Sequence, residues 1–441
     1  MVKLLNKEER KKIIEEKQKL KKEKEDFLKE KLEFEHNFYR LMFEFGLYNK
    51  FNKTYMLNIT DKTNYGYLAT LHLEPGVYFS ALEKYIGALQ ESLGCIWIMK
   101  TVQFKKYAHL KIVTQPLDEE TPYENPKVKP WEMYLGLDFS LNVIKINCND
   151  RCMFLIGGAT GAGKTRLLYM ICLSWIINCK PNEVELFLAD VAKDGFSGIM
   201  YAKHVKYYAR ELDTLLNMLK YIHIKLEKRR NVIGKLREQG IATNIIEYNR
   251  TQKSKMSYCY VIIDEFSFLV PEKSDSKEEK SIKEEIISLV KQISKVGREM
   301  GIFLIVGVQK TVRDEIPSII KNMSSVRISF RANDAISSEV IMGDHTAVGL
   351  LDRYAVYSFS GESGNKDYLF SPLLTTSMLN NMLQQYVDKT RKKLDLGKEI
   401  KIYNEQKEQQ PPSKVSQIKQ NVIKTPQYSG IKNKEDDFVD Y

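Results

Sequence analysis

The stretch 153-MFLIGGATGAGKTRLLYMICLSWI-176 sets Gly158-x-x-x-x-Gly163-Lys164-Thr165 between an apolar strand and an apolar helix. That is the context a phosphate-binding loop needs, because the helix N-terminus then presents unpaired N–H groups to an anion. Gly158, Gly161 and Gly163 let the backbone of the loop, with Ala159, Thr160 and Ala162, turn its N–H groups onto the phosphates. Lys164 is expected to reach the β/γ oxygens and the Thr165 hydroxyl to ligate Mg²⁺. The expected fold is α/β, a P-loop NTPase of the RecA-like type with a parallel sheet and flanking helices. The expected cofactors are ATP and Mg²⁺.

Working outward, 258-YCYVIIDEFSFL-269 reads as a buried strand ending in two carboxylates. Asp264 at the tip suits the Mg²⁺ shell, and Glu265 beside it suits the base that polarises the attacking water. Asp264 lies 106 positions after Gly158, and the interval includes another apolar strand, 184-VELFLAD-190. Such room fits an extra strand inserted between the two nucleotide motifs, as in ATPases that drive mechanical work; small-molecule kinases and GTPases usually lack it. A further strand, 302-IFLIVGV-308, ends in Gln309, whose amide is placed to touch the γ-phosphate or the lytic water.

The whole chain has 441 residues and 43% hydrophobic composition, enough for a full α/β core with accessory pieces. Six cysteines form no CxxC pair, so neither a zinc site nor a disulfide framework is indicated, and a reducing cytosol fits. The longest apolar runs fall short of the ~18–20 residues of a spanning helix, and the charged N-terminus is unlike a signal peptide. A cytoplasmic location is expected, peripheral at the inner face of the cell membrane if a partner holds it there. The net charge of +11 is spread along the chain, which permits contact with a polyanion without marking one surface.

Four segments are expected. Residues 1–60 hold a charged helix, with Ile13, Leu20, Phe27, Phe34 and Leu41 at intervals of seven, and the aromatic stretch 38-FYRLMFEFGLYNKF-51. Lys17, Lys24 and Lys31 at the companion positions disfavour a self-pairing coiled coil. The aromatics read as a cap on the next domain's core, with a partner-binding or interfacial segment as the alternative. Residues 61–130 read as a small α/β domain with one helix near 79–93 and a Pro-rich linker. Residues 131–384 read as the motor, and 385–441 as a disordered polar tail.

The chain resembles the FtsK/SpoIIIE DNA-translocase superfamily, including the TcpA-type coupling ATPases of conjugative elements. The likeness runs through 74-EPGVYFSALEKYIGALQESLG-94, 135-LGLDFS-140, GGATGAGKT and 227-EKRRNVIGKLREQGIATNIIEYN-249. It continues in 261-VIIDEFSFL-269, 295-KVGREMGIFLIVGVQK-310 and 319-IIKNMSSVRISFRANDAISSEVIMGDHTAVGLL-351. The resemblance implies a ring, usually hexameric, with ATP sites between subunits. It implies that Arg298 or Arg327 acts on the neighbour's γ-phosphate. It also implies DNA as partner, double-stranded in preference to single-stranded, and, for a transfer protein, a relaxase and a membrane transfer complex. The family's TQRP is VQKT here, which keeps Gln309 and loses the Arg-Pro after it. The polar tail is too poor in apolar residues for the DNA-reading winged helix of chromosome-segregating members. The expected function is an ATP-driven DNA translocase of conjugative transfer; a protein-secretion motor of the type VII kind is the alternative. The basic run Lys225, Lys228, Arg229, Arg230, Lys235 and Arg237 is a candidate DNA contact or a solvated face.

Overall fold

The computed structural model describes residues 7–102, 105–191, 195–309, 318–360, 366–390 and 394–408, with the helical backbone alone for residues 7–14, 318–319 and 407–408. Helix α1 (Lys7–Glu44) follows the seven-residue stripe. Its C-terminal half docks, since Phe38, Leu41 and Met42 are buried with Leu57, Leu71 and Trp97. Phe38 stacks on Trp97 at 5.5 Å between centroids. Lys31 donates to the Ile59 carbonyl at 2.8 Å, which ties this half of the helix to the sheet, while Leu20 nearer the N-terminus is exposed.

That sheet is built from β1 (Met56–Lys62) and β2 (Gly66–His72), then α2 (Phe79–Glu83) and α3 (Ile86–Leu93), then β3 (Ile96–Thr101) and β4 (Tyr107–Val113). It is antiparallel in the order β1-β2-β4-β3. Alternation puts Leu57, Ile59, Ala69, Leu71, Leu110 and Ile112 on the face that α1 and α3 cover. The expected boundary at residue 60 therefore falls inside β1, because Leu57 and Ile59 belong to the same buried face as Ala69 and Leu71. The helix expected near 79–93 is two, and Tyr85 at the break stacks on Phe45 at 5.1 Å. The Pro-rich linker is tied down as it crosses to the second sheet: the Leu117 N–H donates to the Tyr354 hydroxyl at 2.6 Å and the Tyr123 N–H to the Leu373 carbonyl at 2.8 Å.

The second sheet begins with a hairpin, β5 (Glu132–Leu137) and β6 (Val143–Asn147), followed by β7 (Met153–Gly157) and α4 (Lys164–Asn178). Next come β8 (Val184–Ala189), β9 (Val205–Ala209), α5 (Leu212–Glu238), α6 (Ile245–Thr251) and β10 (Tyr258–Ile263). Then follow α7 (Lys277–Val296), β11 (Ile302–Val308), α8 (Ser318–Met323), β12 (Val326–Phe330) and α9 (Ala335–Met342). The unit closes with β13 (Tyr354–Phe359), β14 (Lys366–Phe370) and α10 (Thr376–Leu383). These strands form one sheet in the order β6-β5-β14-β13-β12-β7-β11-β10-β8-β9.

From β12 to β9 the sheet is parallel, and β7, β10 and β11 are buried along their whole length, as a sheet covered on both faces demands. The expected parallel sheet is extended on one side into a mixed one: β13, β14, β5 and β6 join antiparallel. The five residues Asp138–Asn142 join β5 to β6, too few for the crossover that parallel neighbours need. A second correction concerns the inserted strand. The strand lying between β7 and β10 is β11, the one that ends before Gln309, whereas 184–189 forms β8 on the far side of β10.

In the second unit, α11 (Leu396–Glu408) occupies part of the segment expected to be a disordered tail. Asp395 Oδ1 accepts the Lys398 N–H at 3.0 Å, a helix start that the polar composition concealed. Residues 409–441 of that expected tail lie outside the described residues.

Candidate nucleotide site

The parallel strands β7, β8, β10 and β11 all end at one edge, and the loop of residues 158–163 leaves β7 there. Gly158 has φ +148°, and a Cβ on it would sit 2.7 Å from Phe330 Cβ, so the loop closes over β12 only with glycine there. The Ala159 N–H donates to the Arg331 carbonyl at 2.9 Å and the Ala162 N–H to the Ala159 carbonyl at 3.1 Å, which holds the loop's curve. Thr160 and Gly161 at its crest are exposed, and Gly163 caps α4 at φ +121°.

Lys164 opens α4 and is 3% exposed. Its ammonium donates to the Asp264 main-chain carbonyl at 2.5 Å and lies 3.1 Å from Asp264 Oδ1 and 3.5 Å from Glu265 Oε2. Asp264 and Glu265, at 2% and 4% exposure, follow β10 directly, so the Lys164 ammonium pairs with two buried carboxylates at once. The Thr165 hydroxyl donates to Asp264 Oδ2 at 3.2 Å. Among the described residues, buried Asp264 Oδ1 has no partner besides the Lys164 ammonium. A hydroxyl and a carboxylate oxygen this close form the small set of hard oxygen donors that suits Mg²⁺ arriving with a nucleotide. Among the described residues, no three or more His, Cys, Asp or Glu side chains are grouped to hold a metal by themselves.

Glu265 is held by two donors: Oε1 accepts the Ser267 hydroxyl at 2.6 Å and the Gln309 main-chain N–H at 3.1 Å. The residues expected from separate motifs thus meet because β11 runs beside β10. Gly307 permits this approach, since a Cβ there would lie 2.2 Å from the Asp264 carbonyl oxygen and 3.1 Å from Lys164 Nζ. Lys310 and Thr311, where the family pattern is lost, lie outside the described residues.

Asp190 also belongs to this cluster and was given no role from the sequence. It follows β8 as Asp264 follows β10, and Ala189 pairs with Ile263, so the two aspartates stand side by side at the strand tips. Asp190 is 2% exposed and its Oδ2 accepts the Gly195 N–H at 2.8 Å. The signal was present in 184-VELFLAD-190, an apolar strand ending in a carboxylate.

Arg298 and Arg327 lie away from their own phosphate loop. Arg298 is exposed and precedes β11, so it stands at the opposite edge of the sheet, ~20 Å from Gln309 at 3.3 Å per strand residue. Arg327 pairs with Leu155, two residues before the end of β7, and its guanidinium donates to the Lys321 carbonyl at 3.0 Å. Burial lowers its pKa. The basic run on α5 is largely consumed within the fold. Arg229 is buried and donates to the Met300 and Ser257 carbonyls at 2.7 Å each, Lys225 pairs with Glu185, Arg230 with Glu227, and Arg237 with Glu299.

Residues 117–312 match the FtsK/SpoIIIE family. A DNA translocase FtsK of Staphylococcus aureus is 28% identical over 250 residues, covering 54% of this chain and 29% of that protein. A second, from Staphylococcus epidermidis, is 28% identical over 264 residues, covering 57% and 32%. The chain therefore spans about a third of the length of the curated relatives it matches. Among solved structures, the pCW3 conjugation coupling protein TcpA, in a monomer form with ATPγS, aligns with TM-score 0.56 at 21% identity, covering 80% of this chain and 99% of that one. The cytoplasmic domain of the type VII secretion ATPase EccC of Thermomonospora curvata aligns with TM-score 0.50 at 20% identity, covering 64% and 34%. Both likenesses are of fold.

Proposed function

We infer that this chain, which carries an FtsK/SpoIIIE family domain over residues 117–312, is an ATP-hydrolysing DNA translocase that serves as a coupling protein in conjugative transfer. The observation that carries the reading is the convergence of Lys164, Thr165, Asp264, Glu265 and Gln309 on one sheet edge beside the phosphate loop. Mg²⁺ bound with ATP would supply a Lewis acid at the β/γ phosphates, with Thr165 and Asp264 as its protein ligands. Lys164, displaced from the Asp264 carbonyl by the incoming phosphates, adds a point charge to them. Glu265, oriented by Ser267 and the Gln309 N–H, takes the proton of the attacking water, and the Gln309 side chain reports the γ-phosphate.

The remote placement of Arg298 and Arg327 supports a trans role for one of them, because neither reaches its own phosphate loop. The corresponding assembly is a hexameric ring around DNA, duplex by preference, with a relaxase and a membrane transfer complex as further partners. Steady-state ATPase rates with no polymer, duplex, single strand and a secreted-protein substrate test the reading. Stimulation by DNA is expected, nearly independent of sequence and weakening as salt rises. Stimulation by the secreted protein alone would replace it with the secretion-motor reading.

A further inference from the structure

Strands β1 and β2 fix the two ends of the small domain. At one end Tyr65 packs on Phe139 at 5.8 Å and Lys111 pairs with Asp367 at 3.3 Å, which joins it to the motor. At the other end Met56 pairs with His72, and His72 with Tyr107, ~20 Å away along seven-residue strands. The connections 45–55 and 73–79, and residues 105–106 ahead of β4, gather at this far pole.

The pole exposes aromatic side chains that no packing need explains. Phe51 is 71% exposed and Tyr78 66%, while Phe43 and Tyr48 are 45% exposed each and lie 5.3 Å apart. Phe51 is held out by a built turn. The Asn49 N–H donates to the Lys53 carbonyl at 2.8 Å, Asn49 Oδ1 accepts the Phe51 and Lys53 N–H groups at 2.9 and 3.0 Å, and Asn49 Nδ2 donates to the Pro75 carbonyl at 2.7 Å. Lys50 lies 5.1 Å from the Phe51 ring. These three segments together carry Lys50, Lys53, Lys105 and Lys106 against one acid, Glu74.

We propose that this pole is a docking surface for an anionic lipid bilayer, with Phe51 as the inserted wedge and the lysines at the headgroups. Aromatic rings favour the boundary between headgroup and acyl chain, and each nearby lysine adds attraction to anionic lipid. A ring 71% exposed suits insertion into a soft layer better than stacking on a base, which asks for a groove. The proposal stands apart from the motor reading, since lipid binding is measured without ATP or DNA.

Flotation of the full chain with phosphatidylcholine vesicles, and with vesicles also rich in phosphatidylglycerol, tests it. Binding is expected for the anionic vesicles only. Phe51→Ser should lower it about tenfold, the loss of part of a buried ring. Lys50→Glu should lower it at least about fivefold, from the cation removed. Phe51→Trp should show a vesicle-induced blue shift that wild type lacks, the native tryptophans being Trp97, Trp131 and Trp175. The proposal is overturned if wild type does not prefer anionic vesicles or if Phe51→Ser binds them unchanged. Loss of DNA binding by Phe51→Ser, with vesicle binding intact, would make the pole a nucleic-acid surface instead.

Discussion

The main-chain N–H of Gln309 donates to Oε1 of Glu265 across 3.1 Å, joining the tip of β11 to the carboxylate that follows β10. This carboxylate, the proposed base, is thus oriented by a backbone group that no substitution of the Gln309 side chain removes. Glu265→Gln keeps an acceptor for that N–H and for the Ser267 hydroxyl, so the variant should fold and retain ATP. Its hydrolysis should fall by ~10²-fold or more as the proton acceptor is lost. Phosphate release and nucleotide retention measured together check this; a wild-type rate would remove Glu265 as base.

Lys164→Ala should destabilise the protein as well as weaken ATP binding, because Asp264 and Glu265 are left buried without their cation. Breaking such a buried pairing costs about 3–5 kcal/mol. Denaturant midpoints of Lys164→Ala and of Lys164→Ala with Asp264→Asn decide the cause: the second change should recover part of the loss. If the double variant is no more stable than the single one, charge imbalance is not the reason.

Asp190 should matter through the pair it makes with Asp264 at the strand tips. Asp190→Asn keeps an acceptor for the Gly195 N–H, so the fold should hold, while half-maximal ATPase should require several-fold more Mg²⁺ as negative charge beside Asp264 is lost. An unchanged Mg²⁺ titration would leave Asp190 a loop fastener only.

Mixing subunits tests the proposed trans arginine. Arg298→Ala and Arg327→Ala should each bind nucleotide, since neither touches its own phosphate loop. Mixed with Lys164→Ala subunits, only the variant lacking the trans residue should regain ATPase activity. Intact assembly with no rescue in either mixture would count against a shared site.

The cysteines should resist alkylation in the native protein. Burial pushes the thiols of Cys95, Cys148, Cys179 and Cys259 up to about 12 and that of Cys152 to about 11, far above neutral pH, so the reactive thiolate is scarce. Iodoacetamide at neutral pH should label the native chain slowly and the unfolded chain fully. Rapid native labelling of a single cysteine, located by peptide mapping, would show a thiol more open than its burial implies.

The local halves of the site were legible in the residues themselves. A phosphate loop needs glycines, a lysine and a hydroxyl within eight consecutive positions between a strand and a helix, and an apolar strand ending Asp264-Glu265 needs only its own six residues to place them. Contiguous backbone geometry carries such signals. The lateral order of strands is set elsewhere, by registers formed between segments far apart in the chain. Only the tertiary structure decided that β11 lies between the two motifs and brings the Gln309 N–H to Glu265, that Asp190 stands beside Asp264, and that the sheet continues antiparallel through β13, β14, β5 and β6. It likewise decided the fate of charge and aromatics that composition leaves open. The arginine most central to the basic run, Arg229, is spent on buried carbonyls, whereas Phe51 is held out in solvent by a turn that a buried asparagine pins. Both outcomes depend on which surface each side chain meets, and the neighbours that form those surfaces are distant in sequence.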